Sequence, residues 1–203
     1  TEIASTHRGN INTVKTIFNN HLKSNSNYIK FQLLNTSELY AANSKKYKQF
    51  KKLEIKMSLI DNLIFKYYNK TKIILEIFDE KSYQFAKKFS KKVYLKISCS
   101  EADNIKLIVD ACKNFRKIFI NFSGYELDEI NKILKKINKY KKKIVLLYGF
   151  QSYPSSFDDL RYELFDYFDK KKFIFGYSDH TYFKNYNELI LSTSVAIAKG
   201  AKI

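Results

Sequence analysis

Residues Phe173 to Thr181 read Phe-Ile-Phe-Gly-Tyr-Ser-Asp-His-Thr. An apolar β-type run reaches Gly176, and Ser178, Asp179 and His180 follow at once. In parallel α/β folds the polar working end lies just past the carboxyl end of each strand. A histidine there can ligate a metal, and a serine hydroxyl or an aspartate can hold a substrate oxygen. The same residues also suit an Asx-type turn carrying a surface histidine. Glu2, Lys30, Glu76, Lys96, Glu101, Ser123 and Gln151 likewise fall within or at the ends of β-type runs. Lys30 and Lys96 are the most informative, since each interrupts an apolar strand, in Tyr-Ile-Lys-Phe-Gln and Tyr-Leu-Lys-Ile-Ser. A buried ammonium is costly unless it meets a carboxylate or a bound anion. Glu2, Glu76 and Glu101 could supply the carboxylate. Two such lysines converging at one strand end would make a site for phosphate or carboxylate. The expectation is that Lys30, Lys96, Ser178 and His180 gather at one mouth of a closed ring of strands.

The elements that would position them are read from periodicity. Seven β-type runs appear: Glu2–Ser5, Tyr28–Leu34, Lys72–Phe78, Val93–Ser98, Ile118–Phe122, Ile144–Phe150 and Phe173–Tyr177. Most are nearly continuous in large apolar residues, as strands buried on both faces should be. Each is followed by a helical pattern. Ile11, Val14, Ile17 and Phe18 form one apolar stripe, Ile105, Leu107, Ile108 and Ala111 another, and Leu127, Ile130, Ile133, Leu134 and Ile137 a third. Ser156 is placed as an N-cap before Phe157-Asp158-Asp159. A last helix over about Asn187 to Lys199 should stop at Gly200. Ala201 to Ile203 then reads as an eighth strand beginning. The fold class expected is α/β, a TIM (β/α)8 barrel incomplete at strand and helix eight, in one domain over residues 1–203. An open doubly wound sheet is the alternative.

Composition narrows the function classes. The 203 residues carry a formal net charge of +17, with 1 proline, 5 glycines and no tryptophan. Such a charge raises nucleic acid as a partner, but the lysines are scattered in pairs and triplets such as Lys91-Lys92 and Lys141-Lys143, without a clustered stripe. The spread favours solvated faces that attract anionic metabolites. Cys99 and Cys112 lack metal-ligand spacing and do not form a disulfide framework, which fits a reducing cytoplasm. No run is long enough to span a membrane, and no signal-peptide pattern opens the chain. The first residue is not methionine and the final strand-like run is short, so both ends are expected to be trimmed. Gly-rich phosphate loops, Cys/His clusters and G-x-S-x-G elbows are absent.

Taken in order, the segments resemble the sialic acid synthase family, the phosphoenolpyruvate-dependent synthases of N-acetylneuraminate, legionaminate and pseudaminate. Residues 2–10, from Glu2 through His7 and Gly9 to Asn10, look like the family's opening A-E-I-G-x-N-H-x-G-D. Residues 28–32 resemble V-K-F-Q. Leu95 to Ser98 with Glu101 resembles K-I-x-S-x-E, and Ser123-Gly124 with Glu126 resembles the S-T-G-M loop. Leu146 through Pro154 is similar to L-L-H-C-T-S-x-Y-P. Gly176 to Thr181 reproduces G-Y-S-D-H-T outright, and Ala196 to Ala201 resembles the A-x-A-L-G-A run.

The resemblance implies attack of the enolpyruvate methylene on the open-chain aldehyde of an N-acyl amino sugar polarised by a divalent metal, water addition, and loss of phosphate. It assigns phosphoenolpyruvate to Lys30, Lys96 and Ser178, and one metal position to His180. Glu2 falls near metal-bound water or sugar, and Glu101 at the amino sugar. Ser123, Gln151 and Asp179 fall among the substrate-binding positions, with His7 and Asp179 read chiefly as supports. The metal implied is manganese, with magnesium or cobalt compatible. A full-length homodimer in the cytoplasm is also implied. The family's threonine of T-P-F aligns here with Glu76, its S-T-G serine with Phe122, and its K-I-x-S serine with Cys99. Its second metal histidine is expected past Ile203. The alternative function is a divergent, non-catalytic barrel that binds a sugar or an anion.

Overall fold

The computed structural model describes residues 1–203, which fall into two compact units. The first comprises Thr1–Glu101 with Asn114–Arg116, the second Ala102–Lys113 with Lys117–Ile203.

In the first unit, strands β1 (Glu2–Ile3), β2 (Tyr28–Leu33), β3 (Lys72–Ile77) and β4 (Tyr94–Ile97) pair in parallel and in sequential order. Helix α1 (Ile11–Lys23) starts at Asn10, whose side chain accepts from the N–H groups of Asn12 and Thr13 at 2.8 and 3.2 Å. It buries Val14, Phe18 and His21, while Ile11, expected on the apolar stripe, is 41% exposed in the first turn. The expected run Glu2–Ser5 shortens to two residues because Ser5–His7 closes a 3-10 turn, with the Arg8 N–H bonded to Ser5 O. Three helices, α2 (Thr36–Leu39), α3 (Lys45–Lys51) and α4 (Met57–Tyr67), fill the long connection to β3, and α5 (Glu80–Lys88) follows it. Asp79 caps α5 by accepting from Ser82 N–H at 2.8 Å. Strand β2 is not uniformly apolar: Ile29, Phe31 and Leu33 are buried, while Tyr28, Lys30 and Gln32 alternate with them on the other face.

In the second unit, α6 (Ile105–Asn114) leads to strands β5 (Ile118–Asn121), β6 (Ile144–Tyr148) and β7 (Ile174–Tyr177), again parallel and sequential. Helix α7 (Leu127–Ile137) buries Ile130, Ile133, Leu134 and Ile137, and Glu129 accepts from the Glu126 N–H at 2.9 Å to satisfy an N-terminal donor. Ser156 opens only a one-turn 3-10 segment, Phe157–Asp159. The longer helix α8 (Glu163–Lys170) begins four residues later. Helix α9 (Tyr186–Ala198) ends as expected at Gly200, where φ is +99°. Ala201–Ile203 is not a regular strand. Its backbone nevertheless follows β7, with Lys202 N–H bonded to Phe175 O at 2.9 Å and Tyr177 N–H to Ile203 O at 2.8 Å. Phe165 and Phe168 from α8 pack on Phe175 of β7 at centroid distances of 5.6 and 6.2 Å.

Strand order equals chain order, with helices in the connections, as in a (β/α)8 barrel lacking its last unit. A doubly wound sheet would reverse its order at a switch point, and this one does not.

Candidate functional site

Parallel register builds the charged cluster of the first unit. Lys30 on β2 is level with Glu2 on β1, and Gln32 is level with Glu76 on β3, which is level with Lys96 on β4. The period of two along each strand turns these side chains to the same face. Glu76 therefore lies between both lysines. Its Oε2 accepts from Lys30 Nζ at 2.7 Å, and its Oε1 from Lys96 Nζ at 2.9 Å. Glu2 Oε1 accepts from Lys30 at 2.8 Å. Gln32 Nε2 donates to Glu2 at 3.2 Å and to Glu76 at 3.3 Å. The Glu76 and Lys96 side chains are 5% and 8% exposed, Lys30 is 15%, and Glu2 is 46%. The cluster is thus dry at Glu76 and opens to water at Glu2.

The charges are strongly linked. Burial pushes the Glu76 carboxyl up, but Lys96 and Lys30 outweigh it and hold it below the ordinary carboxylate value. Burial also draws Lys30 down, and Glu76 with Glu2 more than reverses this, so its ammonium is held above the lysine norm. For Lys96 burial prevails: with Lys30 nearby and only Glu76 attached, its ammonium is easier to deprotonate than an ordinary lysine. Glu101 sits half-buried on the 3-10 turn Cys99–Glu101 just past β4, its N–H bonded to Ser98 O at 3.1 Å. Burial pushes the nearby Cys99 thiol up. His7, past β1, is buried and accepts the Gly9 N–H on Nδ1 at 2.9 Å. Burial lowers its pKa.

The second unit positions Ser178, Asp179 and His180 at the carboxyl end of β7, all half-buried. Ser178 N–H donates to Tyr148 O at 2.8 Å. Gly149 makes this approach possible: a Cβ there would lie 2.0 Å from Ser178 O. His180 Nδ1 is 2.7 Å from Phe150 O. A carbonyl only accepts, so Nδ1 carries the proton and Nε2 keeps its lone pair. The His180 carbonyl in turn accepts from Ser155 N–H at 2.9 Å. Asp179 Oδ1 accepts from Thr181 N–H at 2.8 Å and from the Tyr177 hydroxyl at 3.0 Å, which closes the turn behind the histidine. Ser123 is buried, its hydroxyl donating to Asn121 at 2.6 Å and accepting from Gly149 N–H at 3.1 Å. Its hydrogen bonds brace the strand end. Gln151 is exposed.

The sequence matches the model of the NeuB family over residues 17–203. The chain belongs to the NeuB family. Solved structures of similar fold include an N-acetylneuraminic acid (sialic acid) synthetase from Leptospira borgpetersenii serovar Hardjo-bovis in complex with citrate. It is 24% identical, with a TM-score of 0.85 over 100% of this chain and 70% of that one. A spore coat polysaccharide biosynthesis protein from Bacillus subtilis is 17% identical, with a TM-score of 0.72 over 89% of this chain and 52% of its own. A phospho-2-dehydro-3-deoxyheptonate aldolase (DAHP synthase) from Thermotoga maritima is 13% identical, with a TM-score of 0.67, covering 98% of this chain and 56% of its own. No curated protein sequence matches the chain. No helix is long and apolar enough to cross a membrane.

Within this NeuB-family chain, His180 Nε2 is left free of the contact that holds Nδ1 and could serve as one ligand to a metal. A full protein ligand set is not assembled, because no group of three or more His, Cys, Asp or Glu side chains is placed to hold an ion. Two contributors escaped the sequence reading. Gln32 joins Glu2 to Glu76, and the alternation of β2 could have found it, since it shares a face with Lys30. Asn121 anchors Ser123, and its place as the one polar residue closing an apolar strand was the signal that could have found it.

Proposed function

We propose that this chain is the barrel portion of a synthase that condenses phosphoenolpyruvate with an N-acyl amino sugar of the N-acetylmannosamine type, giving a nonulosonic acid and phosphate. The observation that carries this reading is the buried Lys30–Glu76–Lys96 cluster, in a chain of a family with sialic acid synthesis among its similar structures. Paired ammonium groups on adjacent strands suit the carboxylate and phosphate of an enolpyruvate ligand. Glu76 fixes both ammonium groups and opposes the pull of burial toward neutral amines, fully at Lys30 and in part at Lys96.

In the reaction the enolpyruvate methylene carbon bonds to the sugar aldehyde carbon, water adds at the neighbouring carbon, and the C–O bond to phosphate breaks. Lys30 and Lys96 hold the anion and take up charge as phosphate leaves. Ser178, fixed through its backbone to Tyr148, is a further phosphoenolpyruvate position by resemblance to the family. Glu2, the exposed carboxylate of the cluster, is available to accept a proton from the attacking water. Glu101 hydrogen-bonds the amino sugar, and Ser123 and Gln151 are further substrate-binding positions by resemblance to the family. A divalent cation, manganese or else magnesium or cobalt, would polarise the aldehyde oxygen when bound, with His180 Nε2 as one ligand. Asp179 keeps the histidine turn closed. A cytoplasmic homodimer of the full-length protein completes the proposal.

The direct test is phosphate release by full-length protein given phosphoenolpyruvate, manganese and N-acetylmannosamine or related sugars. Phosphate should appear in step with phosphoenolpyruvate loss. His180→Ala should abolish the metal-dependent rate. The charge of Glu76 between both lysines favours a second reading, a barrel that binds a sugar or an anion without turnover. Absence of turnover with every acceptor, together with no phosphoenolpyruvate binding by calorimetry, would leave only that reading.

A further inference from the structure

Two lysines alone would present two positive charges to a ligand. Here Glu76 spans them, one oxygen on each ammonium at 2.7 and 2.9 Å, and Glu2 takes a further contact with Lys30 at 2.8 Å. Counting Lys30 and Lys96 as positive and Glu2 and Glu76 as negative, the cluster is formally neutral. Glu76 cannot swing into water to make room, because it is 95% buried by side-chain exposure and held by three donors, Lys30, Lys96 and Gln32. Nor can it neutralise itself, since two ammonium groups lie against it. An anion entering from the Glu2 side therefore meets attraction from the lysines and repulsion from a fixed carboxylate only one bond length of hydrogen bonding behind them. Attraction and repulsion scale alike with the ligand's charge, so the neutral cluster offers a dianion no net gain against its larger cost of leaving water.

We propose that Glu76 is a specificity-determining residue, an internal counter-anion that makes the Lys30–Lys96 pair favour a singly charged carboxylate group over a phosphate dianion. The assignment rests on the reading of these lysines as an anion-binding pair, and it adds a preference to that reading. A ligand carrying both groups would seat its carboxylate against the buried end of the pair. Its phosphate would remain outside the cluster, in water. Gln32 reinforces the arrangement by holding Glu2 and Glu76 together, so the two carboxylates act as one screen.

Binding of inorganic phosphate and of pyruvate to full-length protein, measured by calorimetry near neutral pH, tests this without any turnover. Wild-type protein should bind pyruvate at least as tightly as phosphate. Glu76→Gln keeps the shape and removes the charge, and should tighten phosphate by at least about tenfold, with a smaller gain for pyruvate. Glu163→Gln, which removes one exposed carboxylate on α8, should leave both affinities unchanged. Phosphate binding more than about tenfold tighter than pyruvate in the wild type would overturn the proposal. So would equal gains for the two ligands, or no phosphate gain, in a folded Glu76→Gln protein. If that variant folds only when phosphate is supplied and pyruvate does not substitute, the proposal is supported. If neither ligand restores its fold, the wild-type ratio decides. A phosphate gain in Glu76→Gln with no synthase turnover in the wild type would uphold the counter-anion and end the synthase reading. Turnover without the phosphate gain would do the reverse.

Discussion

Lys96 shows how much one residue can depend on its neighbours. Its side chain is 8% exposed and its ammonium meets Glu76 at 2.9 Å, so Lys96→Met strips a buried carboxylate of one of its two cations. Breaking a buried pair from one side costs about 3–5 kcal/mol, and the surviving Lys30 contact places this variant near the lower figure. Denaturant titration of wild type and variant would measure it, and a loss under about 1 kcal/mol would mean the pair is hydrated in solution. The same group fixes an acid dependence. The Glu76 carboxyl is held below its ordinary value of 4.5, so its stabilising contribution is fully present above that pH. It is lost as pH falls through the depressed folded value. Stability measured downward from pH 6 should fall more steeply in wild type than in Glu76→Gln. Parallel slopes would contradict the charge assignment.

At the scale of elements, the end of β6 decides where the β7 residues stand. A methyl group at Gly149 would overlap Ser178 O at 2.0 Å, with backbone on both sides of the conflict. Gly149→Ala should therefore cost at least about 1–3 kcal/mol in a denaturant titration and, by moving Ser178, remove phosphate release. Gly124, on the loop after β5, offers the contrast. Its φ is +87°, but a Cβ there would meet only Gln151 at an ordinary 3.8 Å. Gly124→Ala should cost about 1–2 kcal/mol from backbone strain alone and spare the turnover that Gly149→Ala removes. Equal activity in the two alanine variants would show that Ser178 does not need its present position.

At the scale of the whole molecule, each compact unit carries its own test of the proposed function, Lys96 in the first and His180 in the second. Lys96→Met and His180→Ala should each abolish the same phosphate release. Survival of turnover in either folded variant would remove that unit from the chemistry. The net charge of +17 should also act at long range on an anionic substrate. Between low salt and about 0.5 M salt, kcat/KM for phosphoenolpyruvate is expected to fall by about tenfold, with kcat little changed.

Much of this was legible in the sequence, and the reason is period. Seven apolar runs separated by amphipathic helices, with Gly200 stopping α9, were enough for repeated β/α units, because strand and helix periodicities survive in one dimension, while the choice of barrel over doubly wound sheet waited for the strand order. Gly176 to Thr181 likewise announced a polar strand end. What remained hidden depended on register between strands far apart in the chain. That Gln32, Glu76 and Lys96 stand level, and that Glu76 divides its two oxygens between two lysines, follows from parallel pairing, which composition does not encode. Local geometry hid the rest: the turn at Ser5–His7 shortened β1, and Asp159 closed a 3-10 segment where a longer helix start was expected. Sequence alone thus determined which residue types occupy the strand ends. Only the tertiary structure decided which charges touch, because hydrogen-bond distance is set by packing three strands side by side.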